Sequence, residues 1–187
     1  MVCATNYYYL IIRGALMLHL KSITQFYQCI CTQLNAISNW LPQLALRLML
    51  AWEFGESGFE KLHGTNWFAD LTFPFPFNLL PASISWNISI FFEVVGAFAL
   101  VIGLATRFFS ISLTIITVVA IISVHWPDHY TTFAHLLQGY RIIDENNDGF
   151  GNYKLPLMYI VMFLPLLFGG AGKASIDYWL SKNCQAK

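Results

Sequence analysis

The chain alternates long apolar runs with shorter polar stretches, and four of the runs predict helices. A helix that crosses a bilayer needs about 20 mostly apolar residues. Four segments reach or approach this length: Leu41 to Leu62, Pro81 to Thr106, Phe108 to Trp126 and Lys154 to Phe168. They predict an all-α fold, an integral membrane four-helix bundle over residues 41–180, with residues 181–187 as a cytoplasmic tail.

Two charged residues interrupt these runs. Glu93 lies in the apolar run from Ser89 to Ala105, which contains no other charge, and Arg47 lies in the run from Leu41 to Phe54. A charge at the centre of a bilayer costs on the order of 3 kcal/mol on insertion scales, and such residues usually pair, carry protons or bind something. Both residues therefore indicate a membrane protein with a polar interior.

The composition supports a membrane protein and excludes a nucleic-acid partner. The 187 residues are 57% hydrophobic and 11% charged, whereas soluble domains have about 25% charged residues. The ten basic and ten acidic residues cancel, so the chain lacks the excess positive charge that nucleic acids attract.

Residues 1–40 form an N-terminal extension with two open interpretations. The apolar stretch from Tyr7 to Leu20 is broken by Arg13, Gly14 and His19, and it lacks the cleavage pattern of a secretory signal. The extension is either an amphipathic helix on the membrane surface or a product of a start assigned too early, with translation beginning at Met17.

Basic residues predict the topology, since lysine and arginine concentrate in cytoplasmic loops. With four spans, one side receives Arg13, Lys21, Arg107, Lys173, Lys182 and Lys187. Both termini are then cytoplasmic, and the loops Gly64 to Leu80 and Pro127 to Tyr153 face outward.

Two stripes of residues at spacings of three and four predict a polar site between the first two spans, because such residues share one helix face. One stripe contains Arg47, Ala51, Phe54, Gly58 and Lys61, and the other Ser89, Glu93, Gly96, Leu100, Gly103 and Arg107. The hypothesis is that Arg47, Lys61 and Glu93 line an intramembrane site, with Arg107 at its inner edge.

The partner of Glu93 remains open between two arrangements. A rise of about 1.5 Å per residue places Glu53 at a similar depth, so Glu53 or Glu56 could approach Glu93 and share a proton with it. That arrangement would suit a site for protons or quinol. The alternative is an Arg47–Glu93 pair that only fastens two helices.

The outward loop from Pro127 to Tyr153 raises two metal hypotheses. His125 and His129 are four residues apart and, with His135, could bind copper or zinc, although Pro127 interrupts a helix between the first two. Residues 144–149 resemble the first half of a calcium loop, but Leu155 occupies the position of the bidentate glutamate. A polar turn is therefore favoured there.

Several short motifs, in this order and spacing, resemble the DoxX family of bacterial membrane proteins over about Leu41 to Leu180. They are Leu46-Arg47-Leu48, Gly58-Phe59-Glu60-Lys61-Leu62, Phe92-Glu93-Val94-Val95-Gly96, Gly103-Leu104-Ala105-Thr106-Arg107 and Phe168-Gly169-Gly170-Ala171-Gly172-Lys173-Ala174-Ser175-Ile176-Asp177. The stretch from His125 through Tyr153-Lys154-Leu155-Pro156 also resembles a branch found beside copper-binding modified-peptide clusters. The resemblance implies a four-helix inner-membrane protein with both termini inside and redox-linked partners.

Four functional hypotheses follow. The first is an accessory in membrane-linked redox or metal homeostasis. The second is a membrane subunit of a quinone-reducing oxidoreductase of the thiosulfate:quinone type, and the third is a maturation or export factor for a copper-binding peptide. The fourth is a structural assembly protein. The sequence leaves the cofactor unknown, with quinone as the first candidate and copper or zinc after it. Partner proteins are expected, and a transport role would require a homo-oligomer.

Overall fold

A computed structural model describes residue 21, residues 23–144 and residues 147–185. The described residues form helices and no strands, which confirms the predicted all-α class. Residues 1–20, which include Met17 and the apolar stretch after Tyr7, lie outside them.

The chain divides into two compact units, the first ending at Asn39 and the second extending from Trp40 to Lys187. Helix α1 covers residues 23–38 of the first unit. Exposed apolar residues recur along it at spacings of one, three and four: Ile23, Phe26, Tyr27, Ile30, Leu34 and Ile37. This pattern is that of an amphipathic helix, and its placement on a membrane surface stays a prediction.

The helices of the second unit follow the predicted segments closely. They are α2 (Leu41–His63), α3 (Ala82–Ile102), α4 (Thr106–Ala120), α5 (Phe133–Gln138), α6 (Lys154–Gly169) and α7 (Ile176–Gln185), with short 3₁₀ helices at Phe68–Asp70 and Phe77–Leu79. A π-helical turn, Ile121–His125, continues α4. Helix α7 extends into residues 181–185, which the sequence predicted as a tail.

Two helices in the described part of the chain are long and apolar enough to cross a membrane. They are Ala82–Ile102, with a mean hydropathy of 1.8, and Thr106–His125, with 2.2. Helix α6 is apolar but has only 16 residues, and α2 carries five charged residues among its 23. The four-span arrangement therefore stays a prediction for α2 and α6.

Helices α2 and α3 pack antiparallel, and Gly58 of the α2 stripe lies against Glu93 of the α3 stripe and against Val94 beside it. A Cβ added to Gly55 would lie 3.4 Å from Ala97 Cβ, and one added to Gly58 would lie 2.8 Å from Val94 Cγ2. Small residues let helix backbones approach closely in this way. The stripe residues Arg47, Ala51, Phe54 and Gly58 are all buried.

The apolar core joins α2, α3, α4 and α6. Its buried members are Leu50, Ala51, Phe54, Ala97, Leu100, Leu113, Phe163 and Leu166. The Phe54 ring packs against Tyr159 and Phe163 at centroid distances of 5.7 and 5.4 Å. Aromatic pairs at such separations add to the stability that burial supplies, so α6 is held directly against α2.

Candidate functional site

Lys61 and Glu93 form an ion pair between α2 and α3. Lys61 Nζ lies 2.7 Å from Glu93 Oε2 and 2.9 Å from Oε1. Only 4% of the Glu93 side chain and 13% of the Lys61 side chain are exposed. Each charge therefore depends on the other, because a buried charge without a partner is strongly destabilising.

A serine one helical turn earlier supports each member of this pair. Lys61 donates to Ser57 Oγ at 2.6 Å, and Ser89 Oγ donates to Glu93 Oε1 at 3.1 Å. Both contacts join residues four apart, which face the same side of a helix. The Lys61 ammonium and the Glu93 carboxylate thus have fixed positions, as a binding site requires.

A cavity of about 580 Å³ lies beside the ion pair. Helices α2, α3, α4 and α6 and the loop between α2 and α3 line it. The polar lining includes Lys61, Glu93, Ser57, Ser89, Glu53, Glu56, Glu60, Thr117, His125 and Tyr159. Such a volume falls within the range of small-molecule sites, which combine apolar walls with a few positioned polar groups.

Glu53 lines this cavity but binds Tyr159 of α6. The Tyr159 hydroxyl donates to Glu53 Oε2, and the phenol ring packs on Phe54. The carboxylate of Glu93 instead binds Lys61 and Ser89. The structure therefore gives Glu93 a lysine partner, which neither of the two arrangements considered from the sequence contained.

Arg47 lies away from the cavity, beside the turn between α3 and α4. Its side chain is fully buried, and it donates from Nη1 to the Leu100 carbonyl at 3.4 Å and from Nη2 to the Ala174 carbonyl at 2.5 Å. Leu100 is seven residues from Glu93, which corresponds to about 10 Å along the helix. The structure thus separates Arg47 from the ion pair with which the sequence grouped it.

The turn beside Arg47 is held by the first turn of α7. Both Asp177 carboxylate oxygens accept backbone N–H bonds at the start of α4, from Ala105 at 2.7 Å and Thr106 at 2.8 Å. A carboxylate stabilises a helix N-terminus by filling its free donors. Arg107 donates to the Phe168 carbonyl at 3.3 Å, so it joins α4 to the end of α6 and does not line the cavity.

The three histidines of the metal hypothesis contact other side chains, and two of them, His129 and His135, pack against the same Phe150 ring. His125 Nδ1 lies 2.7 Å from Asn152 Oδ1, and His135 Nδ1 lies 3.2 Å from Thr131 Oγ1. His129 packs against the Phe150 ring at 5.6 Å. Among the described residues, no group of three His, Cys, Asp or Glu side chains is arranged to hold a metal ion.

The loop that resembles half of a calcium site is built around Arg141. This guanidinium binds Asp144 Oδ1 at 2.7 Å and Asp148 Oδ2 at 2.8 Å. Hydrogen bonds from Arg141 and from the Phe150 amide hold the pKa of the Asp148 carboxyl well below its usual range. The two carboxylates that calcium would use therefore bind a guanidinium, as expected for a polar turn.

Sequence reasoning missed Tyr159 as a member of the site. It lies in the apolar helix α6, where one hydroxyl gives no periodic signal. A carboxyl within the apolar stretch around Glu53 could have suggested a partner on another helix, since carboxylates removed from water are hydrogen-bonded. Nothing in the sequence indicated which helix supplies it.

Comparisons with known proteins identify the family. The model of the DoxX family matches residues 43–126, which include Arg47, Lys61 and Glu93. An uncharacterized protein of Haemophilus influenzae is 42% identical over 152 residues, covering 80% of this chain and 90% of that protein. No solved structure matches the chain. The chain is thus a membrane protein that belongs to the DoxX family.

Proposed function

We propose that this protein is a multi-pass protein of the bacterial inner membrane, an accessory in membrane-linked redox homeostasis that binds a small amphipathic molecule between its helices. The observation that carries this proposal is the cavity of about 580 Å³ beside the desolvated Lys61–Glu93 pair. Intramembrane ionisable residues generally mark sites for substrates, ions or protons.

The proposed topology has four spans, with α2 and α6 joining the two long apolar helices. At about 1.5 Å per residue α2 would cover about 35 Å, enough to cross the roughly 30 Å hydrocarbon layer. Its charged residues Glu53 and Lys61 bind Tyr159 and Glu93 respectively, which reduces the cost of placing them in a bilayer. Both termini are proposed to be cytoplasmic, as the basic residues suggest.

Labelling with a membrane-impermeant maleimide tests this topology. One variant keeps Cys184 and replaces the other cysteines by serine; a second replaces all four natural cysteines and carries Asp128→Cys. In intact spheroplasts we expect labelling at position 128 and protection at Cys184 until the membrane is opened. Labelling of both position 128 and Cys184 in intact spheroplasts would contradict the four-span arrangement.

Quinone is the proposed ligand class for the redox role. A quinone ring accepts hydrogen bonds, and the Ser85 and Ser123 hydroxyls on the cavity lining are donors without a partner within the described structure. Carboxylates on the same lining could exchange the protons that accompany quinone reduction. The electrons would have to come from a partner protein, as in the alternative role of a quinone-reducing oxidoreductase subunit.

Native mass spectrometry of the detergent-purified protein, scoring quinone and metal ions together, tests the ligand. We expect wild type to carry quinone, Glu93→Gln to lose it, and Asp128→Asn, which changes an exposed acid outside the cavity, to keep it. Copper or zinc that is lost in His125→Ala would instead favour the copper-peptide role. A protein without quinone, even after quinone is added, would remove the basis for the redox proposal.

A further inference from the structure

The cavity beside Lys61 and Glu93 carries an excess of negative charge, and we infer that it prefers lipophilic organic cations to anions of similar size and shape. This inference rests on one part of the proposed function, namely that the cavity is a site for a small amphipathic molecule, and it does not depend on quinone being that molecule. It depends on three features of the lining: its charge, its aromatic wall and its unpaired hydroxyls.

The charge of the lining is one-sided. Among the residues that the structure describes, four glutamates line the cavity, Glu53, Glu56, Glu60 and Glu93, and Lys61 is the only lysine or arginine on the lining. That lysine is committed to Glu93 at 2.7 Å. Within this part of the chain, the lining therefore offers no lysine or arginine to the carboxylates of Glu53, Glu56 and Glu60. Low-dielectric walls concentrate such a field and attract ligands of opposite charge.

An aromatic wall lies on the same cavity. Trp67, Phe68, Phe73 and Phe77, from the loop between α2 and α3, belong to the lining. The first three form a connected group, with centroid distances of 5.0 Å between Trp67 and Phe68 and 5.2 Å between Phe68 and Phe73. Ring faces attract cations, and organic cations are commonly bound by such walls. Carboxylates and rings therefore favour the same ligand class.

Two buried hydroxyls on the lining have no hydrogen-bond partner within the described structure. They are Ser85 Oγ and Ser123 Oγ, contributed by α3 and by the π-helical turn. Buried polar groups are almost always paired, so these two hydroxyls are available to water or to a polar group of a bound molecule. A ligand with polarised C–H groups beside its positive charge could contact them without a strong donor of its own.

The test compares two ions of nearly the same shape and opposite charge, tetraphenylphosphonium and tetraphenylborate, with the full chain in lipid nanodiscs. Binding is measured by equilibrium dialysis against empty nanodiscs, which corrects for partition into lipid. We expect saturable binding of the cation at least tenfold tighter than that of the anion. Equal affinities, or no saturable binding of the cation, would overturn the inference.

Variants locate the bound cation. Glu56 and Glu60 are exposed, so Glu56→Gln with Glu60→Gln should leave folding intact while removing two negative charges. We expect about tenfold weaker cation binding, the size that two nearby charges produce at an effective dielectric constant between about 20 and 80. Asp128→Asn, the control for a charge outside the cavity, should change nothing. An unchanged affinity in the double variant would place the cation elsewhere and refute the inference.

A neutral quinone in the same assay separates this inference from the proposed function. If decylubiquinone binds and the phosphonium does not, the cavity is a ligand site without the inferred charge preference. If the phosphonium binds in a Glu56- and Glu60-dependent way and the quinone does not, the charge preference holds and the redox role fails. If neither binds, both proposals fail.

Discussion

Removal of the Lys61 ammonium is the most informative change to this molecule. Lys61→Met keeps a side chain of similar length but removes its charge. Glu93, which is 3% exposed, then loses the cationic partner that the described structure gives it and keeps the hydrogen bond from Ser89. Removing one member of a buried pair costs about 3–5 kcal/mol. Because 13% of the Lys61 side chain is exposed and some solvent can reach the site, we expect the lower end, about 3 kcal/mol.

The converse change should cost less. Glu93→Gln leaves a neutral amide that can still accept from Ser89 and from Lys61, and the remaining ammonium still shares the cavity with other carboxylates. We expect a loss of about 1–2 kcal/mol, as for hydrogen bonds with charged groups. In the double variant no buried charge is left unpaired, so its cost should be similar to that of Glu93→Gln alone.

The assay is unfolding of the purified protein in mixed micelles with increasing dodecyl sulfate, followed by far-ultraviolet circular dichroism. The two single variants and the double variant complete a cycle that isolates the pair. We expect a coupling free energy of about 2 kcal/mol or more. Additive losses, or a Lys61→Met variant that loses less than about 1 kcal/mol, would refute the claim that Glu93 depends on Lys61.

Three further predictions follow from contacts elsewhere in the second unit. In Gly58→Ala the new Cβ would lie 2.8 Å from Val94 Cγ2, so we expect the free energy of unfolding to fall by about 1–3 kcal/mol in the same assay. Gly55→Ala is the control: its nearest neighbour lies at 3.4 Å, so the free energy of unfolding should change by less than about 1 kcal/mol. Gly103→Ala should lower the free energy of unfolding by about 2 kcal/mol or more, because Gly103 has a φ of +68° and a Cβ there would meet Arg47 Nη1 at 2.0 Å. A decrease of less than about 0.5 kcal/mol would contradict this packing. The Asp148 carboxyl has a lowered pKa, so its contribution to loop stability is complete above the ordinary carboxyl pKa of about 4 and is lost as pH falls further. The protection factors of the loop amides, which correct for the pH dependence of the intrinsic exchange rate, should fall below about pH 4 in wild type, and Asp148→Asn should remove that pH dependence.

The helices could be predicted from the sequence because long apolar runs and their boundaries are local features. Pro42 and Pro81 mark the starts of α2 and α3, where a missing N–H does no harm. The α2 and α3 faces that were predicted from spacings of three and four are the faces that the structure buries. The DoxX motifs led to the correct family, since their order along the chain is also a property of the sequence alone.

The partners within the bundle could not be derived in the same way. Whether Glu93 meets Glu53, Arg47 or Lys61 depends on how far α3 slides along α2, and a shift of one turn, about 5.4 Å, changes the partner. The loop between these helices sets that shift through two 3₁₀ helices that have no clear sequence signal. Periodicity identifies a face, whereas the pairing across two faces is a tertiary property.

The contacts of Arg47 have a consequence for how the protein is made. Its guanidinium donates hydrogen bonds to two backbone carbonyls, those of Leu100 and Ala174. Ala174 lies 127 residues after Arg47 and is therefore synthesised much later. Until that carbonyl is made, the guanidinium has one of its two backbone acceptors. A chain that terminates before Ala174 would lack the second acceptor permanently, so we expect such a truncation to destabilise the packing of α2 against the turn between α3 and α4.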